Sequence, residues 1–537
     1  MKVQKPHLLI LVLILLIAFG LRFYRLGNVP AGFHQDEVSQ AYNSFSIATT
    51  GNDRYGEKLP ILFRSFGSYQ PPIYTYMSYV PMKVFGNTIF SARLLSALAG
   101  VAVVFFTYLV VVEAIKYKQK HYIALMSAFV VAISPWAIHF SRRVVEGNLG
   151  LAFFLAALYL LYLSLRRIKM FPLAALVFGL STHAYYSERL ITMMFIPVFL
   201  IYFREYYLKH KTLVISGLII FVLTQIPHIW IMSTGAFARR FDQVSYINNA
   251  PEGIAGIVFI GNEFITHYLS YLSPANLFSD TGNSLARVAQ GVGAFYSWMF
   301  IPFLFGIYFV SNNFNDKYIR SLAMLFLISL IPAAMTGDVF YPLRILEFLW
   351  LVSLVIAVGL ITIGNLIKRK KVAHALLGLL TVFSLGIFYT SYFVLFQNET
   401  TEYVGVTYIK LNEYLEEYGD KEIIIDSARD LAIGLRIAYF REYDPKEMAS
   451  NLRPQLRSNY YSGDVGIDET YLIDNITVRH INWQDPCKEN TMIVGDALAI
   501  NDVQAEEHGL ELEFEIKNSF NETIVRGYLT NPKENCK

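Results

Sequence analysis

The sequence predicts a mainly α-helical, polytopic membrane domain followed by a small extracytoplasmic α/β domain. Three observations predict it. The 537 residues are 54% hydrophobic and 16% charged, with a mean hydropathy of +0.40, whereas soluble domains carry about 25% charged residues. The charge is unevenly placed: roughly 41 of the 141 residues from Gln397 onward are charged, against about 46 in the first 396. Apolar stretches of membrane-spanning length recur through that first part. Net charge +3 is too small to suggest nucleic acid as a partner, and no basic or acidic block stands out.

A spanning helix needs about 17–25 mostly apolar residues, and about eleven stretches qualify. They lie near 8–22, 93–113, 121–140, 149–165, 171–187, 190–203, 212–232, 291–310, 319–336, 343–367 and 372–396. Those near 8–22 and 190–203 are short. The loops KYKQKH (from Lys116), RRIK (from Arg166), REYYLKHK (from Arg204), NDKYIR (from Asn315) and KRKK (from Lys368) all fall on the side of the N-terminal MKVQK. Lysine and arginine in short loops mark the cytoplasmic face. An odd span count then sends the tail outside a cytoplasmic (plasma) membrane that the chain crosses many times. A signal-peptide reading of the first stretch lacks a small-residue cleavage site before Arg22.

The expected division is a membrane domain over 1–396 and a soluble extracytoplasmic domain over 397–537. Two long outer loops, about 26–91 and about 233–290, belong to the first. In the tail, KEIIID, LELEFEIKN and ETIVRGYLT read as strands, and DLAIGLRIAYF as an amphipathic helix. Cys487 and Cys536, the two cysteines, either pair in the oxidising space or stay free; no disulfide framework or cysteine metal site is possible with two. No internal repeat is visible, which weakens an inverted-repeat transporter.

Ionisable groups near apolar spans are costly and usually functional. Here they gather at the outer helix ends. GFHQDEVSQAYNSF supplies His34, Asp36 and Glu37 after the first span, and SARLLSALAG opens the second with Arg93. HFSRRVVEGN supplies Arg142, Arg143 and Glu146; STHAYYSERL supplies His183, Tyr185, Tyr186, Glu188 and Arg189; GDVFYPLRILE supplies Asp338, Tyr341, Arg344 and Glu347. The short outer turns use arginine only, whereas the inner loops favour lysine. Arginine's planar fork binds phosphate or carboxylate in two-point fashion and stays charged when partly buried.

Each group has a plainer reading. Arg142 or Arg143 can bind ordinary lipid phosphate or pair with Glu146. Arg189 with Glu188, and Arg344 with Glu347, can be structural ion pairs. His183 can be a hydrogen-bonder at a helix end, Tyr185 and Tyr186 an interfacial belt, and Asp36-Glu37 a helix cap. Their coincidence on one face favours chemistry. A carboxylate beside arginines suits transfer of a sugar from a lipid phosphate: the acceptor hydroxyl needs a general base, and the leaving phosphate needs cations already in place.

These segments resemble the protein O-mannosyltransferase and aminoarabinose-transferase branch of the polytopic GT-C glycosyltransferases. The resemblance rests on the Asp-Glu pair after the first span, then GNDRYGEKLP, YQPPIYTYMSYVPMKVFG and SARLLSALAG, then PWAIHFSRRVVEGN, HAYYSERL and YPLRILE. It covers about residues 1–396. It implies an inverting transferase that takes a monosaccharide from a polyprenyl-phosphate donor to a lipid, glycan or protein acceptor outside the cytoplasmic membrane. Asp36 would be the general base and Glu37 its orienting partner. Arg93 would hold the donor phosphate, with Arg142, Arg143, Arg189 and Arg344 in support. His34, Glu146, His183, Tyr185, Tyr186 and Tyr341 would line the substrate site.

Two departures limit what carries over. The tail is unlike the repeat-type sugar-binding module of eukaryotic protein mannosyltransferases, so a protein acceptor is not inherited. No Trp-Trp-Asp motif is present, which argues against the oligosaccharyltransferase branch. No cofactor is expected, and no metal: a site built from His34, Asp36, Glu37 or His183 is the weaker alternative, because arginine alone can neutralise a monophosphate leaving group. A transporter or flippase of a lipid-linked sugar or anion, and a non-catalytic assembly protein, are the competing classes. The first predicts charges at mid-bilayer, the second that Asp36→Asn leaves function intact.

Overall fold

The computed structural model describes residues 5–279, 291–399 and 405–532. It divides into two compact units that interleave along the chain. The first comprises Met1–Leu26, Arg93–Ser233 and Arg240–Leu395; the second comprises Gly27–Ala92, Thr234–Arg239 and Phe396–Lys537. The loop after the first span thus groups with the tail. Cys536 and residues 280–290 of the second long loop lie outside the described residues.

The first unit is helical, and the chain is a multi-pass membrane protein. Among the described residues seven helices are long and apolar enough to cross a membrane: Lys5–Phe23, Ile89–Ala114, Glu146–Ser164, Arg204–Thr224, Lys317–Ala334, Pro342–Leu366 and Lys370–Asn398. An eighth span results if Lys120–Ile133 and Pro135–Ser141 count as one. The other three expected stretches also hold apolar helices, the shorter Ile168–Ala184, Tyr186–Tyr202 and Ser297–Asn312. Hydropathy registers an apolar run without registering where its helix stops.

The bent pair has a local cause. Ser134 is extended (ψ 133°) and Pro135 opens the next helix, producing a 60° bend; proline fits a first helical turn but cannot continue a preceding helix. Elsewhere, glycine sets the spacing. A Cβ on Gly359 would fall on the carbonyl of Pro302, and one on Gly306 on the carbonyl of Val355. Helices Phe300–Asn312 and Leu346–Leu366 therefore touch backbone to backbone, the small-residue packing that replaces hydrophobic drive within a membrane. Beside them, Trp350 is fully buried and donates to Thr107 Oγ1 at 2.9 Å. An apolar cavity of about 620 Å³ runs along Phe300–Asn312, lined by Val111, Ile115, Phe303, Ile307, Leu327 and Leu351 among others.

In the second unit, helix Gln35–Thr50 packs on helix Pro72–Phe85. Between them lies a short antiparallel hairpin, β1 (Phe63–Ser65) and β2 (Ser68–Gln70), turned at Phe66 and Gly67, both with positive φ. The tail builds a six-stranded sheet from β3 (Glu422–Ile425), β4 (Tyr471–Ile473), β5 (Ile476–Val478), β6 (Thr491–Gly495), β7 (Glu511–Lys517) and β8 (Thr523–Leu529), in the order β4-β5-β3-β6-β8-β7. The central β3 runs parallel to β5 and β6. Its Ile423, Ile424 and Ile425 are all buried, as a strand covered on both faces requires. The expected strands correspond to β3, β7 and β8, and the expected helix to Ile433–Phe440. The three-residue β4 and β5 are too short to show alternation.

Candidate functional site

The residues singled out by sequence fall in both units. His34, Asp36 and Glu37 belong to the second; the arginines, Glu146, His183 and the tyrosines belong to the first.

In the second unit the acid pair opens helix Gln35–Thr50. His34 is the N-cap: its Nδ1 accepts from Asp36 N–H at 3.3 Å, and Glu37 Oε2 accepts from His34 N–H at 3.2 Å. This capping box occupies Glu37, which is 2% exposed, whereas the Asp36 side chain is 53% exposed. The plainer reading of a helix cap therefore describes Glu37, and the Asp36 carboxylate stands at the positive end of the helix. Gln70 Nε2 donates to Asp36 O at 3.3 Å, and Arg436 Nε donates to Phe33 O at 2.8 Å. Farther along, Asp53 accepts from Tyr460 O–H (2.6 Å), Glu57 N–H (2.8 Å) and Tyr55 N–H (2.9 Å). Burial nevertheless pushes its carboxyl up to about 6.

In the first unit the predicted residues form three groups. Arg93 and Arg142 are fully buried within electrostatic reach of each other, and Arg22 joins them. Arg142 donates to Leu21 O (2.9 Å) and Tyr24 O (2.6 Å) and lies 4.8 Å from the Phe393 ring centre. Arg93 donates to Leu26 O at 3.4 Å. Arg22 donates to Ser141 Oγ (3.2 Å), Ala132 O (3.1 Å) and Val131 O (3.4 Å), at the carbonyl end of helix Lys120–Ile133. Sequence reading missed Arg22. Its signal was an arginine closing an apolar helix at the end opposite the lysine-bearing N-terminus. Arg143, 7% exposed, precedes helix Glu146–Ser164, whose first residue is Glu146.

The second group centres on Tyr185, whose electrostatic neighbours are Glu146, Arg344, Tyr341 and the unanticipated Arg240. Arg344 pairs with Asp338 Oδ2 at 2.8 Å, donates to Thr336 Oγ1 at 2.6 Å and lies 4.7 Å from the Tyr341 ring centre. In the third group, Arg189 donates to Thr182 O at 3.2 Å and lies 4.5 Å from the Tyr186 ring centre. The His183 ring stacks on His228 at 3.9 Å, and its Nε2 is 2.7 Å from Thr224 O, a helix-end contact. Sequence reading also missed His228 and Gln225, whose Oε1 lies 3.0 Å from His228 Nδ1.

The ion pairs considered for Glu188 and Glu347 are not the ones formed. Arg344 takes Asp338, and the two glutamates are both fully buried within electrostatic reach of each other. Four residues in sequence do not fix which neighbour a side chain meets when a 3₁₀ turn (Pro342–Ile345) intervenes. Among the described residues no group of three or more His, Cys, Asp or Glu side chains is arranged to hold a metal ion.

Residues 69–231 match the family model described as dolichyl-phosphate-mannose-protein mannosyltransferase. That segment includes Arg93, Arg142, Arg143, Glu146 and Arg189. ArnT from Cupriavidus metallidurans in the apo state shares the fold, with TM-score 0.55 and 11% identity over 98% of each chain. Over that segment and in its fold the chain is similar to these lipid-phosphate-dependent membrane glycosyltransferases. The same ArnT bound to undecaprenyl phosphate superposes with TM-score 0.53 and 11% identity over 97% of each chain. The apo Archaeoglobus fulgidus oligosaccharyltransferase gives TM-score 0.49 and 14% identity, over 99% of this chain and 75% of that one. No curated protein matches the sequence. The family resemblance and the mainly helical fold with a mixed-sheet tail are those the sequence predicted.

Proposed function

We propose that this GT-C enzyme transfers a monosaccharide from a polyprenyl-phosphate donor to an acceptor hydroxyl at the outer face of the membrane, with inversion at the anomeric carbon. The acceptor oxygen attacks that carbon and gives its proton to Asp36. The bond from the anomeric carbon to the phosphate oxygen breaks, and polyprenyl phosphate leaves with the electron pair. Arg93 and Arg142, with Arg22, would hold the departing phosphate; Arg143, Arg189 and Arg344 would support the donor, and His34, Glu146, His183, Tyr185, Tyr186 and Tyr341 would line the substrate site. The observation that carries the reading is the burial of Arg22, Arg93 and Arg142 together, each fixed on backbone carbonyls. Cations held in advance of the reaction stabilise a leaving phosphate without reorganisation.

Two further features support it. ArnT, similar in fold, has been solved bound to undecaprenyl phosphate, and an apolar cavity along a 13-residue helix, about 20 Å long, suits an isoprenoid tail. The exposed Asp36 beside a consumed Glu37 fits one base and one structural acid. The test is single-turnover transfer in membranes supplied with labelled polyprenyl-phosphate sugars, wild type against Asp36→Asn. Transfer lost in the variant while donor binding persists supports the reading. Equal transfer removes Asp36 from the mechanism, and labelled lipid crossing the bilayer without transfer would replace the enzyme with a flippase.

A further inference from the structure

One buried polar network has no part in the mechanism above, and it begins in the tail. Asp468 accepts from Tyr55 O–H at 2.8 and 2.9 Å and from Tyr471 O–H at 2.7 Å. Arg54 Nη2 lies 3.6 Å from Asp468 Oδ2 and donates to Tyr55 Oη at 3.1 Å. The Arg54 side chain is 0% exposed and that of Asp468 8%. From Arg54 the contacts continue inward. Nη1 donates to Ser39 Oγ (2.9 Å), Ser39 Oγ donates to Gln70 Oε1 (3.2 Å), and Gln70 Nε2 donates to Asp36 O (3.3 Å). Ser65 Oγ, 2.8 Å from Ser39 Oγ, braces the middle.

This chain has a direction. A guanidinium with no exposure is tolerated only where a carboxylate and good acceptors meet it, and Asp468 is the carboxylate paired with it. Arg54 is thereby pinned, and its second nitrogen fixes Ser39, one helical turn past Asp36. Gln70 then holds the Asp36 carbonyl on the same side. The half-exposed carboxylate of Asp36 has His34 Nδ1 at 3.8 Å, too distant to fix the turn by itself. Its orientation is inherited from the backbone that these side chains grip.

We propose that Asp468 is a positioning residue: through Arg54, Ser39 and Gln70 it fixes the turn that presents Asp36, which makes the tail part of the catalytic machinery. The catalytic half of this statement rests on the function proposed above; the positioning half does not. Full-length Asp468→Asn, Asp468→Glu and Ser39→Ala are compared with wild type in membranes with titrated labelled donor, and by hydrogen exchange of the peptide covering residues 33–43. The expected result is a loss of at least tenfold in kcat for Asp468→Asn and Ser39→Ala, with donor KM within twofold of wild type. Asp468→Glu restores most of the rate, and exchange at residues 35–39 quickens at least tenfold in the two impaired variants. Wild-type kcat and exchange in folded Asp468→Asn and Ser39→Ala would overturn the proposal, as would a loss confined to KM. If Asp468→Asn does not fold, Ser39→Ala decides alone. If wild type transfers no sugar, the functional reading falls, while the exchange comparison still decides whether the chain positions the turn.

Discussion

Asp53 offers a quantitative check on the packing of the second unit. It is 1% exposed and accepts three hydrogen bonds, yet burial raises its carboxyl from 3.8 to about 6. A carboxyl that binds its proton more tightly in the fold than in the unfolded chain stabilises the fold fully below about pH 4. That contribution disappears as pH rises through about 6. At about 1.4 kcal/mol per pH unit, the shift is worth about 3 kcal/mol. Asp53→Asn cannot titrate, so the stability difference between wild type and variant should move against wild type by about 3 kcal/mol between pH 3 and pH 7. Urea unfolding of the full chain, followed by hydrogen exchange of peptides from residues 50–70, reads this unit rather than the spans. A difference that stays flat with pH would refute the reasoning: Tyr460, Glu57 and Tyr55 would then hold the carboxylate ionised against its burial.

Asp36→Asn should lower single-turnover transfer by about 100- to 10,000-fold, the usual range for a lost general base, with donor binding retained; a smaller loss reassigns the base. Arg142→Lys should lower the melting temperature in detergent, because charged hydrogen bonds contribute about 1.5–3 kcal/mol each and one ammonium cannot serve Leu21 O, Tyr24 O and the Phe393 ring together; an unchanged melting point counts against that geometry. Gly359→Leu should abolish monodisperse expression by driving a side chain into the Pro302 carbonyl, and normal yield would show that these helices are not in backbone contact. Glu188 and Glu347 are both fully buried, and a buried carboxylate with no cation is costly to keep charged. Glu347→Gln, which removes the charge and keeps the shape, should therefore be tolerated, with a melting temperature in detergent at or above wild type; a marked fall would show that the charge is needed.

What was legible in the sequence followed from periodicity and position. Uninterrupted apolar runs located the helices, alternation located β7 and β8, and the isoleucine run located β3. Helix lengths were not legible, because Pro135 and the ends of Ile168–Ala184 and Tyr186–Tyr202 break helices inside apolar sequence. The residue types of the site were legible as a set, but their partners were not. Glu37 closes a capping box and Arg344 takes Asp338 in place of Glu347. The grouping of residues 27–92 with the tail had no local signal at all. Arg54 and Asp468 are separated by over 400 positions, and only burial makes either one informative.

The preference for arginine over lysine at these helix ends has a structural cause. Arginine carries five N–H donors in a rigid plane, lysine three on one flexible atom. Arg22 reaches a serine hydroxyl and two carbonyls that helix Lys120–Ile133 leaves open at its end. Arg142 bridges two carbonyls at the end of the first helix while its plane lies over Phe393. A lysine could satisfy part of each set and would leave the remaining carbonyls buried and bare, at about 1–3 kcal/mol apiece. The same contacts hold the guanidinium planes still. A cation already anchored on backbone loses little freedom when a phosphate arrives, so the residue that closes these helix ends is also the one suited to bind the donor. Structural and catalytic readings of these arginines are therefore not rivals: the carbonyl bonds supply the preorganisation that the proposed chemistry requires.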